Sequence, residues 1–377
     1  MCLVIHLFSF MNKTNKALFA VIMAGGRGER FWPLGRNSLP KQFVSIFGGK
    51  PLIRHAVERL DGLVPLENIL VVTSADLVEQ TVNALPMLPK ENIVGEPFGR
   101  DTAAACALGT ALVEKRGGTN AVLAILTADH LMKRPDIFRE TLADAASVVA
   151  SEDRISVIGI TPQYPATGFG YINVDGKLQT DTATKFHRVS CFVEKPNIER
   201  AKIYIESGHH YWNSGMFIWS VNTFKNALEK YCPTVKAMYD AVLPTIATSV
   251  FDATLLAEYN KLEKISVDYA IMEKAENIVS AVGNFGWDDV GTWISAGEHF
   301  PVDDDGNRVY GDAVVLDSAN NVAVNCIDGH LVGMFGVDDL IVVHTSDATL
   351  IASKQAAPEL KKLVRELSSD DSHKKFT

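Results

Sequence analysis

The chain has 377 residues, 47% of them hydrophobic, and a net charge of −9. That length and apolar content suit one large core with a small second domain, and the acidic balance argues against a nucleic-acid surface, which needs a basic patch or stripe. The five cysteines are scattered and lack C-x-x-C spacing, so they indicate neither a disulfide framework nor a zinc site and fit a reducing cytoplasm.

The first ten residues, MCLVIHLFSF, are apolar but have no basic leader or small-residue cleavage site. They are also far shorter than the roughly 20 apolar residues that span a bilayer. Residues 1–16 are therefore expected to be a mis-assigned start, with Met11 the natural initiator, or a disordered extension. No other stretch reads as transmembrane, and no membrane partner is expected.

Leu18 to Met23 is an apolar run that breaks into Ala24, Gly25, Gly26, Arg27 and Gly28, with Arg30 and Lys41 following. A buried strand ending in a flexible basic loop suits a polyphosphate. Glycines let backbone N–H groups approach anionic oxygens, and arginine and lysine supply charge-assisted hydrogen bonds. A P-loop would need Lys-Ser or Lys-Thr after its last glycine, and a dinucleotide fingerprint would lead straight into a helix; here Trp32-Pro33-Leu34 intervenes,. Further continuous apolar runs at Ile69–Thr73, Val122–Leu126, Ile155–Ile160 and Met216–Trp219 alternate with helical spacing at Leu52–Leu60, Thr102–Lys115 and Ile137–Val149,. This alternation predicts an α/β fold around a parallel sheet buried on both faces, with ligands at the carboxyl ends of the strands.

Several candidates follow such runs. Glu96-Pro97-x-x-Arg100-Asp101-Thr102 precedes an alanine-rich helix, which Asp101 or Thr102 can cap and at whose positive end a polar ligand could sit,. Asp129, just past a buried run, could hold Mg²⁺ or simply cap the next segment. Asp288 and Asp289, between glycines and tryptophans, repel each other unless solvated or bound by a cation,. Gly168–Ile172, Phe192–Pro196 and Trp212–Gly215 read alone as turns and a surface ion pair. After Pro301 the texture changes to short strand-like runs (Ala313–Leu316, Asn321–Asn325, His330–Phe335, Leu340–His344, Thr349–Ala352) between Gly/Asp/Asn turns, a compact all-β unit,. Leu360, Leu363, Val364 and Leu367 then form the stripe of a final helix,.

The string Gly25-Gly26-x-Gly28-x-Arg30-Phe31-Trp32-Pro33-Leu34, with Pro40-Lys41-Gln42-Phe43 after it, resembles the signature of sugar-1-phosphate nucleotidylyltransferases. Its Trp and its Pro-Lys-Gln-Phe are most similar to the mannose-1-phosphate guanylyltransferase branch. The order Glu96–Thr102, Thr127–His130, Gly168–Ile172, Phe192–Pro196, Trp212–Gly215, Ser266–Ala270 and Gly286–Trp293 follows that branch too. Departures are Gly35 where the family often has Ser, Ala104 where it often has Pro, and Asp288 where it has Ser.

The resemblance implies a GT-A-like, Rossmann-type nucleotidyltransferase domain over residues 17–300, with a mixed, mostly parallel sheet. A small β domain, left-handed β-helix-like, is implied over 306–377, the chain stopping before the isomerase domain of bifunctional relatives. The implied reaction is transfer of GMP from GTP to α-D-mannose 1-phosphate, giving GDP-mannose and pyrophosphate. Arg30, Lys41, Asp129 and Asp289 would be catalytic, the two aspartates holding Mg²⁺. Ala24, Gly25, Gly26, Arg27, Gly28, Glu96, Pro97, Arg100, Asp101 and Thr102 would bind nucleotide. Gly170, Tyr171, Glu194, Lys195 and Asn213 would bind sugar phosphate. A homodimer is the expected assembly. The alternatives are a nucleotidylyltransferase using glucose 1-phosphate or another nucleotide, and a non-catalytic sugar-nucleotide-binding regulator; a dinucleotide-dependent oxidoreductase is third.

Overall fold

The computed structural model describes residues 17–26 and 28–377; the expectations for residues 1–16 and for Arg27 fall outside them. The chain forms two compact units. Of the described residues, one comprises 17–25, Ala56–Ala128 and Met132–Trp287; the other comprises those within Gly26–His55, Asp129–Leu131 and Asp288–Thr377.

The first unit is built on a nine-stranded sheet. Its strands are β1 (Leu18–Ala24), β2 (Ile69–Ser74), β3 (Ile93–Glu96), β4 (Val122–Thr127), β5 (Ile155–Ile160), β6 (Tyr171–Leu178), β7 (Phe186–Val193), β8 (His210–Ser220) and β9 (Ile278–Gly283). Their order is β3-β2-β1-β4-β8-β5-β9-β7-β6, and β8 also pairs with β6. β1, β2, β3 and β4 are mutually parallel, as are β5 and β9. Among the described strands of this sheet, β8 and β7 alone run against the rest. The unbroken apolar runs of β1 and β4 are buried almost throughout, as strands covered on both faces should be.

Two differences from the sequence expectation have local causes. Met216–Trp219 is the end of a longer antiparallel strand, not another parallel one; runs buried on both faces look alike in either direction. β3, β6, β7 and β9 were not among the expected runs; β3 is only four residues long, and the burial of β6 and β7 is interrupted by exposed polar residues, including Asp175, Gly176 and Lys177. The helix Thr102–Gly117 buries every residue from Ala103 to Val113, and its small side chains let it press against the sheet. Among the described residues no helix is long and apolar enough to cross a membrane.

The second unit contains β10 (Arg308–Tyr310), β11 (Ala313–Leu316), β12 (Val322–Asn325), β13 (Val332–Phe335), β14 (Leu340–His344) and β15 (Thr349–Ser353). β10, β12 and β14 pair in parallel, as do β11 and β13, and β15 turns back antiparallel on β14. Successive parallel rungs in two sheets are β-helix-like. Asparagines stack between the coils: Asn321 donates from its backbone N–H and from Nδ2 to Asn307 Oδ1, while Asn321 Oδ1 accepts from the Leu340 N–H at 2.8 Å. Such ladders satisfy backbone groups that the turns would otherwise leave buried and unpaired.

The core of this unit joins Val322, Val324, Ile341 and Val343 of the strands to Phe31, Trp32, Phe47 and Trp293. The Trp293 indole donates to the Trp32 carbonyl at 3.0 Å, and its ring lies 4.8 Å from Phe31. That packing is why residues 26–55, which the sequence division assigned to the catalytic domain, cluster with the C-terminal strands.

Candidate active site

The second unit brings together three residues far apart in the chain. Lys41 opens a 3₁₀ turn, Lys41–Phe43, whose residues are all buried. Its ammonium donates at 2.9 Å to Asp129 Oδ2 and at 2.5 Å to the Asp289 backbone carbonyl, on a residue only 7% exposed. Gly28 permits this approach: its φ is +67°, and a Cβ there would lie 2.3 Å from Lys41 Cβ. A Cβ at Gly35 would meet the Gly28 carbonyl at 2.6 Å, so the serine that the resemblance led one to expect has no room.

Asp289 sits in a loop held by side chains. Val290, buried and β-branched, has φ +46°, a conformation costing on the order of 1–3 kcal/mol unless its surroundings enforce it. Here they do. Asp288 Oδ1 accepts from the Val290 N–H at 2.7 Å, and Asp289 Oδ1 accepts from the Gly291 N–H at 3.1 Å. His299 Nε2 lies 2.8 Å from Asp288 Oδ2. Asp288, where the resemblance led one to expect serine, is therefore a strut for the loop.

The two aspartates have opposite electrostatics. Burial raises the Asp129 carboxyl, but the Lys41 ammonium and then His130 outweigh it and hold the group at about 2. Asp289 is pushed up to about 6 by burial, with Asp288 and Asp129 adding to the rise and Lys41 opposing it. The hydrogen bond from Lys41 to Asp289 goes to the backbone carbonyl, so for this carboxylate the nearby ammonium offsets burial only in part. A cavity of about 380 Å³ opens at this point, lined by Arg30, Lys41, Asp129, His130, Asp289 and Lys361 among others.

Other predicted residues lie in the first unit, in two clusters. In one, Glu96 at the end of β3 is buried, and its Oε1 accepts from the Tyr259 hydroxyl at 3.0 Å. Burial raises its carboxyl to about 7, Tyr259 opposing and Asp101 adding to the rise. Arg100 lies 4.5 Å over the Phe98 ring and donates to the Tyr259 carbonyl. Asp101 is the helix cap, accepting from the Thr102 N–H at 2.7 Å, and the Thr102 hydroxyl accepts from the Val267 N–H. The Ala103 N–H is taken by the Ile265 carbonyl. These contacts use much of the first turn of the helix, which leaves Glu96 and the guanidinium of Arg100 as its main polar features.

The second cluster surrounds Gly170. A Cβ there would lie 2.1 Å from Glu194 Oε1, so glycine is what lets the carboxylate pack onto the backbone. Lys195 donates to Glu194 Oε2 at 3.1 Å, Asn213 Nδ2 donates to Asp268 Oδ1 at 2.8 Å, and the Asn213 N–H donates to the Gly170 carbonyl. Asp268 is raised to about 6 by burial and by Glu194. Phe169 packs edge-on against Trp212 and Trp287, giving the cluster an aromatic side. Tyr171 is buried beside Tyr204.

A family model for nucleotidyl transferases matches residues 19–303, more than half of the chain. The chain belongs to the nucleotidyl transferase family. A second model, a mannose-phosphate isomerase/GMP-like β-helix domain, matches residues 297–367. A mannose-1-phosphate guanylyltransferase of Klebsiella pneumoniae is 37% identical over 356 residues, 94% of this chain and 74% of that protein. One from Sinorhizobium fredii is 32% identical over 364 residues, 96% of this chain and 70% of that protein. A crystal structure from Thermus thermophilus, described as a mannose-1-phosphate geranyltransferase, superposes with TM-score 0.82 at 34% identity, covering 93% of this chain and 99% of that one.

As a nucleotidyl transferase the chain has residues to which sequence reasoning gave no role. Tyr259 holds Glu96 and Arg100 but lies 163 residues from Glu96, with no motif around it. Asp268 was part of a family-like string but carried no assigned contact. Lys361 belongs to a helix whose stripe announced packing alone.

Proposed function

We propose that the chain transfers GMP from GTP to α-D-mannose 1-phosphate, forming GDP-mannose and pyrophosphate in the cytoplasm. The observation that carries this reading is the meeting of Lys41, Asp129 and the Asp289 loop at one cavity beside the glycine-rich turn. A phosphate oxygen of the sugar phosphate attacks the α-phosphorus of GTP; that P–O bond forms as the bond to the β-phosphate oxygen breaks, and pyrophosphate leaves with the electron pair. The attacking phosphate is already ionised at neutral pH, so no protein nucleophile is required. Arg30 and Lys41 offset the charge of the phosphates as they approach. Glu194 and Asn213 accept and donate hydrogen bonds to sugar hydroxyls, Lys195 pairs with the sugar's phosphate, and Glu96 and Arg100 receive the nucleotide.

The donor set fits a hard divalent cation. Asp129 and Asp289 offer oxygens only, and burial raises the Asp289 carboxyl more than the Lys41 charge lowers it. Among the described residues no group of three or more metal-binding side chains occurs. Mg²⁺ characteristically takes one or two protein carboxylates and completes its shell with substrate phosphate and water. When bound, it would neutralise charge on the transferring phosphoryl group. The deciding assay is Mg²⁺-dependent pyrophosphate release from each nucleoside triphosphate paired with mannose or glucose 1-phosphate. Turnover confined to GTP with mannose 1-phosphate is expected. A preference for another pair would reassign the substrates, and tight binding without release under any pairing would favour a regulator.

A further inference from the structure

We infer that Lys361, on the C-terminal helix, is a binding residue for the pyrophosphate portion of the nucleotide. This rests on the nucleotidyl-transfer reading and assigns that chemistry a cation outside the glycine-rich turn. Lys361 lines the same cavity as Arg30, Lys41 and Asp129. Lys41 is committed to Asp129 and the Asp289 carbonyl, so it enters the reaction already half-neutralised, and a pyrophosphate group, with about three to four negative charges, needs further cations. Among the described residues, Lys361 pairs with Glu29 Oε2 at 4.0 Å, with 45% of the lysine side chain still exposed. That separation is at the outer limit of an ion pair and leaves the ammonium free to take an anion.

The backbone that presents it is firmly held. Leu360 is 5% exposed, with Val364 and Leu367 packed on the same core, and the Trp32 indole donates to the Phe376 carbonyl at 2.7 Å. The helix Leu360–Ser369 therefore rests on the turn that carries Arg30. A lysine in the first turn of a helix also opposes the macrodipole, so helix stability does not account for it.

The test is isothermal titration of the full chain with inorganic pyrophosphate and Mg²⁺, alongside steady-state kinetics. Lys361→Ala should weaken pyrophosphate binding about tenfold, as expected for the loss of one charged contact, and raise the KM for GTP without moving that for mannose 1-phosphate. Lys361→Arg should restore most of the affinity. Lys362→Ala, one position round the helix at a side chain 78% exposed and paired with Glu359, should change it less than about twofold. Glu29→Gln should leave binding unchanged or tighten it. Unchanged affinity in Lys361→Ala would overturn the inference, and so would equal weakening by Glu29→Gln, which would mark the pair as structural. If the parent chain releases no pyrophosphate under any pairing yet binds it through Lys361, the functional reading fails while Lys361 remains a pyrophosphate-binding residue.

Discussion

Replacing Glu96 with glutamine should make the protein more stable at alkaline pH. Glu96 is 7% exposed and its carboxyl is raised from 4.5 to about 7. A carboxyl raised in the folded state binds more protons there than in the unfolded chain between those two values, so stability falls as pH rises through that window. The penalty is absent below the unfolded value and complete above about 7. A displacement of that size corresponds to about 3 kcal/mol, at roughly 1.36 kcal/mol per unit, and the burial of Glu96 leaves little solvent screening to reduce it. Glutamine fills the same volume and its carbonyl oxygen can accept from the Tyr259 hydroxyl, which now donates to Glu96 Oε1 at 3.0 Å. Denaturant unfolding at about pH 4 and about pH 8 should show the variant and parent nearly equal at the lower pH, with the variant ahead by about 3 kcal/mol at the higher. Asp268 and Asp289 titrate in both proteins and cancel in the difference. The KM for GTP should rise if Glu96 receives the nucleotide as proposed. A variant less stable than the parent at the higher pH, or a difference independent of pH, would refute the reasoning.

Lys41→Ala and Arg30→Ala should each lower turnover on the order of 10²-fold or more with circular dichroism unchanged; near-normal turnover in both would remove the turn from the mechanism. Asp129→Asn and Asp289→Asn should abolish most activity and raise the Mg²⁺ requirement of the remainder, whereas Asp288→Asn should be milder because an amide oxygen can still accept from the Val290 N–H. A Mg²⁺ titration unmoved by either of the first two would exclude them as ligands. Gly170→Ala should displace the Glu194 carboxylate, since its Cβ would lie 2.1 Å from Oε1, and Glu194→Gln should likewise raise the KM for mannose 1-phosphate more than that for GTP; equal effects on both substrates would return Glu194 and Lys195 to a surface pair.

The sequence by itself determined the elements whose signal is local. Unbroken apolar runs marked β1, β2, β4 and β5, because strands buried on both faces tolerate no polar alternation. Gly/Asp/Asn punctuation marked the short C-terminal strands, and the glycine-basic string carried the resemblance to nucleotidyltransferases. Direction and partnership were not written locally: β8 runs antiparallel because of what lies on either side of it, and β6 and β7, with one face partly exposed, carry no continuous run. The active-site residues divide in the same way. Asp129 and Asp289 could be named as acids in suggestive settings, but that a single lysine joins one carboxylate to the other's carbonyl was decided only by folding, which brings positions 41, 129 and 289 together. Folding likewise made Asp288 a strut, gave Glu96 its tyrosine, and put Lys361 at the cavity lined by Arg30 and Lys41. A hydrogen bond's direction and a carboxyl's proton affinity depend on neighbours within a few ångströms in space, and for these residues those neighbours are supplied by distant parts of the chain.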